Sequence, residues 1–421
     1  MTDSSRVSNW QQPERPPWLR ELLDESRHMD LPALVPLDAQ NLIETACRTT
    51  GLQDFGDDDW REPFGILTRS LDEEAELHLF GRLMTRNELL LQLQNRLQIE
   101  ATYKAHPQIE DEVIDAPVII TGLPRSGTSI LFELLAQDSR FGSPSSWETI
   151  ISCPPPEAAS YRSDPRAQKI HHLLTQWNRV TPGYAAMHEM GGWIPAECFS
   201  AFEPSFRSEN MAGKVPVPTF AAWLAGADLT PAYRFHKRML KLLQWKNPRR
   251  HWLLKSPSHL GYLPTLFKVF PDARVVITHR DPIKAQASVT NLLGTLFWMR
   301  SDKPLDVSAF ESLLTPEAVA WRLYQTMDWI EAGVIPRQQI FSSRYIDLLQ
   351  APVDNVRRLL GAMGEEPGEE AAAAMHGYLQ QKPQGKFGVH RYELGQREQI
   401  TRERAHFQRY QNYFHVPSEV E

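Results

Sequence analysis

Cysteine is scarce in this 421-residue chain. Cys47, Cys153 and Cys198 are too few and too scattered for a disulfide scaffold or a zinc cluster, and they suit a reducing compartment. Basic residues are not in excess. Lys and Arg total 45 against 52 Asp and Glu, a formal net charge of −7. That excludes a generally basic protein coating nucleic acid or anionic lipid, though not a local basic pocket. No run approaches the eighteen or so apolar residues of a spanning helix, so none is expected. The start, up to Trp18, has no apolar core of a Sec-type signal. The expectation is a cytoplasmic protein. Disorder is excluded by composition, because 42% of residues are hydrophobic and 12 are Trp, enough for a sizeable core.

Residues 1–17 are polar and Pro-rich and read as a flexible arm. Residues 18–115 read as an N-terminal helical region packed on the core. Trp18, Leu19, Leu22 and Leu23 share one helical face, and Leu42, Ile43 and Cys47 another. Leu71 to Tyr103 reads as one or two long helices. Between these lies an acidic, turn-rich loop, Gly51 to Trp60. Its Asp57, Asp58 and Asp59 admit a cation site, but a solvated loop capping the next helix is the simpler reading.

The pattern changes at Ala116. Pro117–Thr121 is a short continuous apolar run of the kind buried in parallel sheets. Trp252–Leu254, Arg274–Thr278 and the weaker Gln339–Phe341 repeat it, with helical text between. The expected fold is α/β: a P-loop-like parallel sheet flanked by helices, spanning 116–421. Residues 153–250, rich in aromatics, read as a helical insertion over the open edge of the sheet. Some of these aromatics are expected to line an apolar acceptor pocket, the rest to be core.

The sharpest motif is Gly122-Leu-Pro-Arg-Ser-Gly-Thr-Ser129, between a strand and a helix. Backbone N–H groups at such a helix start face an anion, and the helix dipole adds to the attraction. A nucleotide triphosphatase would carry Lys after the second Gly to reach the terminal phosphates. Here Thr128 follows Gly127, and the positive charge is Arg125, inside the loop. The loop is suited to an anion of another shape.

This segment resembles the phosphosulfate loop of the PAPS-dependent sulfotransferases (PAPS is 3′-phosphoadenosine 5′-phosphosulfate), especially their large bacterial-type branch. The likeness continues through the acidic loop, Ser146-Trp-Glu148, Lys255-Ser-Pro257, Val275–Pro282, Arg344-Tyr-Ile-Asp-Leu348 and the tail Pro383–Tyr392. It implies that Arg125, Ser126, Gly127, Thr128 and Ser129 hold the 5′-phosphosulfate. It implies that Arg280 and Ser288, eight residues apart, bind the 3′-phosphate. An ion pair with Asp281 is the plainer reading of Arg280, and His279 reads as structural. Lys386, with His390 or Arg391, is the family's second clasp on that phosphate, unless it is only a solvated basic loop. Tyr345 matches a position near the adenine, or packs. Ile130 stands where the cytosolic branch stacks adenine on Trp.

The expected reaction moves the sulfuryl group of PAPS to a hydroxyl of a small-molecule or lipid acceptor. It leaves 3′,5′-adenosine bisphosphate and needs no metal. Lys255 and Arg125 would stabilise the leaving phosphate. A positioned base adds about 10²–10⁴-fold. His259, four residues after Lys255, is the first candidate for that base, although the cytosolic pattern places its His only two residues after the Lys. A helix-start His satisfied by backbone is its ordinary reading. Glu197 is the second candidate, followed by His188 and Glu148. A nucleotide kinase or triphosphatase, and a non-catalytic nucleotide-binding relative, are the rival functions. A homodimer is compatible with all of them.

Overall fold

The apolar run after Ala116 forms the centre of the sheet. In the computed structural model, residues 12–303, 315–382 and 396–420 are described, the side chains of Ala287 and Ser288 excepted. The strands are β1 (Val118–Gly122), β2 (Phe141–Gly142), β3 (His251–Lys255), β4 (Arg274–His279) and β5 (Ile340–Arg344). Their order is β2-β3-β1-β4-β5, and every pairing is parallel. All residues of β1 are buried, which is why the run shows no polar alternation. β2 was not expected: two residues leave no periodic pattern.

Register decides what the carboxyl ends bring together. Ile120 of β1 pairs with Lys255, and Gly122 with Thr278 of β4. His279 pairs with Arg344 of β5. The loop after β1, Lys255, Arg280 and Tyr345 therefore share one edge, where open α/β sheets place their crevices.

Helices cover both faces. On one, Leu131, Leu134 and Leu135 of the helix Thr128–Leu135 pack with Val356, Leu360 and Met375. On the other, Ile119, Leu254, Val275 and Ile277 share a core with N-terminal residues (Leu42, Phe64, Leu93) and insertion residues (Phe202, Tyr233). Each fully buried Leu or Phe contributes about 1.5–3 kcal/mol by leaving water. The stretch expected as helical from Leu71 to Tyr103 holds the end of one helix, Arg61–Glu73, and most of a second, Leu79–Ala105. His78 starts the second, its Nδ1 accepting from the Gly81 amide at 3.0 Å. A Cβ on Gly81 would fall 1.9 Å from the Arg300 carbonyl oxygen, so only glycine fits that crossing.

Two expectations change in detail. The arm is tied down from Pro13 onward. Trp298 Nε1 donates to the Pro13 carbonyl at 2.8 Å, and the Arg15 guanidinium lies 3.5 Å over the Trp298 ring. A cation–π contact across 283 residues has no local signature. In the acidic loop, buried Arg96 donates to the carbonyls of Phe55 and Asp57 and to the Asp59 carboxylate. The loop thus folds around a guanidinium. No cluster of His, Cys, Asp and Glu suited to a metal occurs among the described residues.

Candidate active site

The loop after β1 turns on two left-handed residues, Arg125 (φ 68°) and Gly127 (φ 93°). At Gly127 a Cβ would also meet the Tyr345 ring at 2.7 Å. The backbone there is pressed against the residue that follows β5, and the first amides of the helix Thr128–Leu135 lack intrahelical partners beside the cavity. Ser126 is the loop residue that turns away. Its hydroxyl donates to the Leu123 carbonyl at 2.6 Å, lies 2.6 Å from Thr278 Oγ1, and is fully buried. Ser126 is thus engaged within the loop itself, while Thr128 and Ser129 line the cavity.

Two arginines border this loop. Arg125 Nη1 donates to the Met187 carbonyl at 3.0 Å, reaching toward the insertion. Arg280, just after β4, donates through Nη1 to the Arg125 carbonyl at 2.8 Å. Its guanidinium lies 4.0 Å over the Tyr345 ring. Arg280 is paired with Glu419 near the end of the chain. It is not paired with Asp281, the ordinary reading of the sequence. Asp281 is fully buried and accepts instead from Arg404 and from the Ile283 and Glu419 amides.

Lys255, at the end of β3, is buried and ion-paired with Glu197, and it donates to Ser129 Oγ at 3.3 Å. His188 lines the same cavity. Burial holds its pKa below the ordinary imidazole value; Glu197 opposes that, and Lys255 and Arg125 add to it. The cavity measures about 1220 Å³ and is lined by Gly127, Thr128, Ser129, Lys255, Glu197, Arg280 and Tyr345 as well as by Phe80, Trp177, Tyr184 and Leu296. That exceeds the usual range for one drug-sized ligand, roughly 300–1000 Å³, and leaves room for two reactants side by side.

His259 is not brought to this cavity. It is fully buried, with Tyr233 Oη 2.7 Å from Nδ1 and Phe202 at its edge. Burial pushes its pKa down to about 3, with His236 adding to the shift. The Pro257–Gly261 turn after Lys255 directs His259 inward while Pro257 and Ser258 face the cavity. Glu148 is likewise structural in place. Fully buried, it closes a capping box with Ser145 and binds Arg249 (2.7 Å) and Tyr161 (2.8 Å). Ser288 lies on the helix Pro282–Trp298, its side chain outside the described set. Lys386, His390 and Arg391 lie outside the described residues.

The aromatics of the insertion divide between the cavity wall and the core. Trp177, Tyr184 and Phe199 line the cavity, while Phe202, Phe206 and Tyr233 belong to the core. Two groups had no signal in the sequence. Lys382 lines the cavity and bridges Glu133 (2.9 Å) and Glu189 (2.7 Å). Burial opposes its charge, but the two carboxylates raise its pKa overall. Glu419 on Arg280 is the other.

The model of the sulfotransferase family matches residues 117–369. The chain belongs to the sulfotransferase family. This family member is similar in structure to sulfotransferase STF9 from Mycobacterium avium (TM-score 0.76, 26% identity, covering 91% of this chain and 98% of that one). It is also similar to sulfotransferase STF1 from Mycobacterium tuberculosis H37Rv (TM-score 0.74, 28% identity, covering 86% and 97%). Among curated proteins it is 25% identical over 271 residues to the omega-hydroxy-beta-dihydromenaquinone-9 sulfotransferase Stf3 of Mycobacterium tuberculosis (strain CDC 1551 / Oshkosh). That alignment covers 61% of this chain and 64% of the relative, less than two thirds of the relative's length. No helix among the described residues is long and apolar enough to cross a membrane.

Proposed function

We propose that the protein transfers the sulfuryl group of PAPS to a hydroxyl of an apolar small molecule or lipid. One arrangement carries this reading: the Arg125 loop, Arg280 and the Lys255–Glu197 pair all open on one cavity large enough for two reactants. When bound, PAPS supplies an activated sulfuryl group on a phosphate leaving group.

The amides of Thr128 and Ser129, with Arg125, hold the 5′-phosphosulfate. Arg280 takes the 3′-phosphate with Ser288, joined by Lys386 and Arg391. Once a phosphate displaces Glu419, the planar guanidinium of Arg280 can present its Nε and Nη2 groups to such an oxygen pair, and its stacking on Tyr345 fixes the plane. Tyr345 thereby serves the nucleotide end of the site. Lys255 neutralises charge that develops on the leaving phosphate oxygen.

Glu197 is the general base. Its carboxylate lines the cavity, is oriented by Lys255, and accepts the acceptor's hydroxyl proton as the oxygen attacks sulfur. His188, kept neutral by its burial, is the alternative. His259, engaged by Tyr233 and facing the core, is left to structure. The apolar wall of Trp177, Tyr184 and Leu296 favours an apolar acceptor. The curated relative is named for a hydroxylated menaquinone, an acceptor of that kind. A reducing, cytoplasmic setting belongs to the same reading, since the three cysteines are free thiols.

Titration with adenosine 3′,5′-bisphosphate and with ATP–Mg²⁺ tests the donor. Preference for the bisphosphate is expected; preference for ATP would overturn the reading. Transfer of label from PAPS to apolar alcohols then separates an enzyme from a non-catalytic nucleotide binder.

A further inference from the structure

The apolar half of the cavity contains a group of charges that the proposed reaction does not use. Lys214 Nζ donates to Glu88 and to Glu203, each at 3.2 Å. Arg300, fully buried, donates to Glu88 at 2.8 Å. Glu203 also accepts from Gln92 at 2.7 Å and from Asn210. Glu88, Gln92, Glu203, Asn210 and Lys214 all line the cavity. They come from the helix Leu79–Ala105 and from the insertion, and they face a wall that includes Trp177, Leu224 and Leu296.

The two carboxylates differ. Burial pushes Glu203 up, and Glu88 adds to that push. For Glu88 burial is outweighed by Lys214 and Arg300, and its pKa falls. The two cations balance the two anions, so the group is neutral as a unit. It is not satisfied as a unit. Gln92 is buried, and its Oε1 has no hydrogen-bond partner among the described residues. Gln92 lines the cavity, so a turn of its amide toward it lets a hydroxyl brought there donate to Oε1 while accepting from Lys214 or Asn210. A charged group would upset the balance, and a hydrocarbon would leave the unmet acceptor buried and dry.

The distance to the reacting end follows from the chain. Glu197 precedes the helix Cys198–Phe202, and Glu203 follows it, six residues on. At about 1.5 Å of rise per residue the backbones of the two residues are offset by roughly 9 Å along the axis, which sets the scale of the separation.

We propose that this group is a second polar subsite of the acceptor cavity, and that the acceptor carries an uncharged hydrogen-bonding group, a hydroxyl above all, at a set distance on the order of 10 Å from the hydroxyl that reacts. This rests on the cavity being the acceptor site, as proposed above. The subsite selects amphipathic acceptors over plain hydrocarbon alcohols of the same length. Sites built to bond a polar group reject analogues that lack it far more strongly than apolar pockets reject a missing methylene.

The test is a length series of straight-chain alkanediols against primary alkanols of equal length. Binding to the adenosine bisphosphate complex is read by calorimetry, and transfer by label from PAPS. The expected result is a diol preference of about tenfold or more, peaking at one length and falling on either side. In Gln92→Leu the peak should shrink while bisphosphate affinity is unchanged. Equal binding of diol and alkanol at every length would overturn the subsite, whatever the variant does. Binding without transfer would count against the transferase reading alone, because the titration still reads the subsite. If Gln92→Leu does not fold, the wild-type ratio decides.

Discussion

Glu419 holds Arg280 from above: Arg280 Nε and Nη2 each donate to its carboxylate at 2.9 Å. The Glu419 amide is in turn fixed on buried Asp281 at 2.8 Å. A carboxylate therefore sits on the guanidinium assigned to the 3′-phosphate, and a nucleotide has to compete with it. Glu419→Gln is expected to tighten adenosine 3′,5′-bisphosphate binding several-fold, read by calorimetry. Arg280→Ala is expected to weaken it by about tenfold or more, since a hydrogen bond to a charged group contributes about 1.5–3 kcal/mol. Affinity for 5′-AMP should change little in Arg280→Ala. Equal loss for both nucleotides would remove Arg280 from the 3′-phosphate.

Glu197→Gln keeps the shape of the carboxylate and removes its basicity. Turnover should fall by about 10²-fold or more, with bisphosphate affinity within a few-fold of wild type. Single-turnover rates with labelled PAPS give the answer. An undiminished rate would transfer the base role to His188.

His259→Ala addresses the other candidate. The ring is fully buried between Tyr233 and Phe202, so its loss leaves a cavity and strands the tyrosine hydroxyl. The expected cost is about 2–5 kcal/mol of stability, read by urea unfolding. Turnover per folded molecule should persist. Loss of turnover in a stably folded variant would restore His259 as the base.

Acid should weaken the fold through buried imidazoles. His236, His259 and His279 have pKa values pushed down to about 3 by burial, against an ordinary 6.5. The folded chain keeps them neutral, while the unfolded chain takes up protons below pH 6.5. Their contribution is complete above 6.5 and is lost as pH falls from there toward 3. Each site steepens the loss by up to about 1.4 kcal/mol per pH unit. His236 makes no hydrogen bond through either ring nitrogen among the described residues and packs against Phe202 and Phe270. His236→Phe should flatten the stability–pH slope across that window. An unchanged slope in urea titrations would show that His236 does not titrate on unfolding.

Much of the fold was legible because its signals are local. A buried parallel strand writes itself as an unbroken apolar run, and β1, β3 and β4 have that form, while β5 keeps only the pair Ile340-Phe341. A loop that must face an anion needs glycine and a following helix, and both are contiguous at 122–135. Arg280 could be placed at a strand end because the strand itself was visible. The two-residue strand Phe141–Gly142 left no such trace.

The candidate base shows where local text fails. His259 lies four residues from Lys255, and proximity in sequence suggested proximity in the site. The Pro257–Gly261 turn sends its ring inward instead. Glu197, 58 residues from Lys255, reaches it only because the insertion folds back over the strand ends. The same holds for Lys214 with Glu88, 126 residues apart, and for Glu419 on Arg280, 139 apart. By itself the sequence determined the main strands, the Gly-rich loop and the family, since each is written in short contiguous segments whose backbone conformation their own side chains favour. Only the tertiary structure decided which charges meet. An ion pair in a cavity depends on where two distant segments cross, and no short-range pattern encodes that crossing.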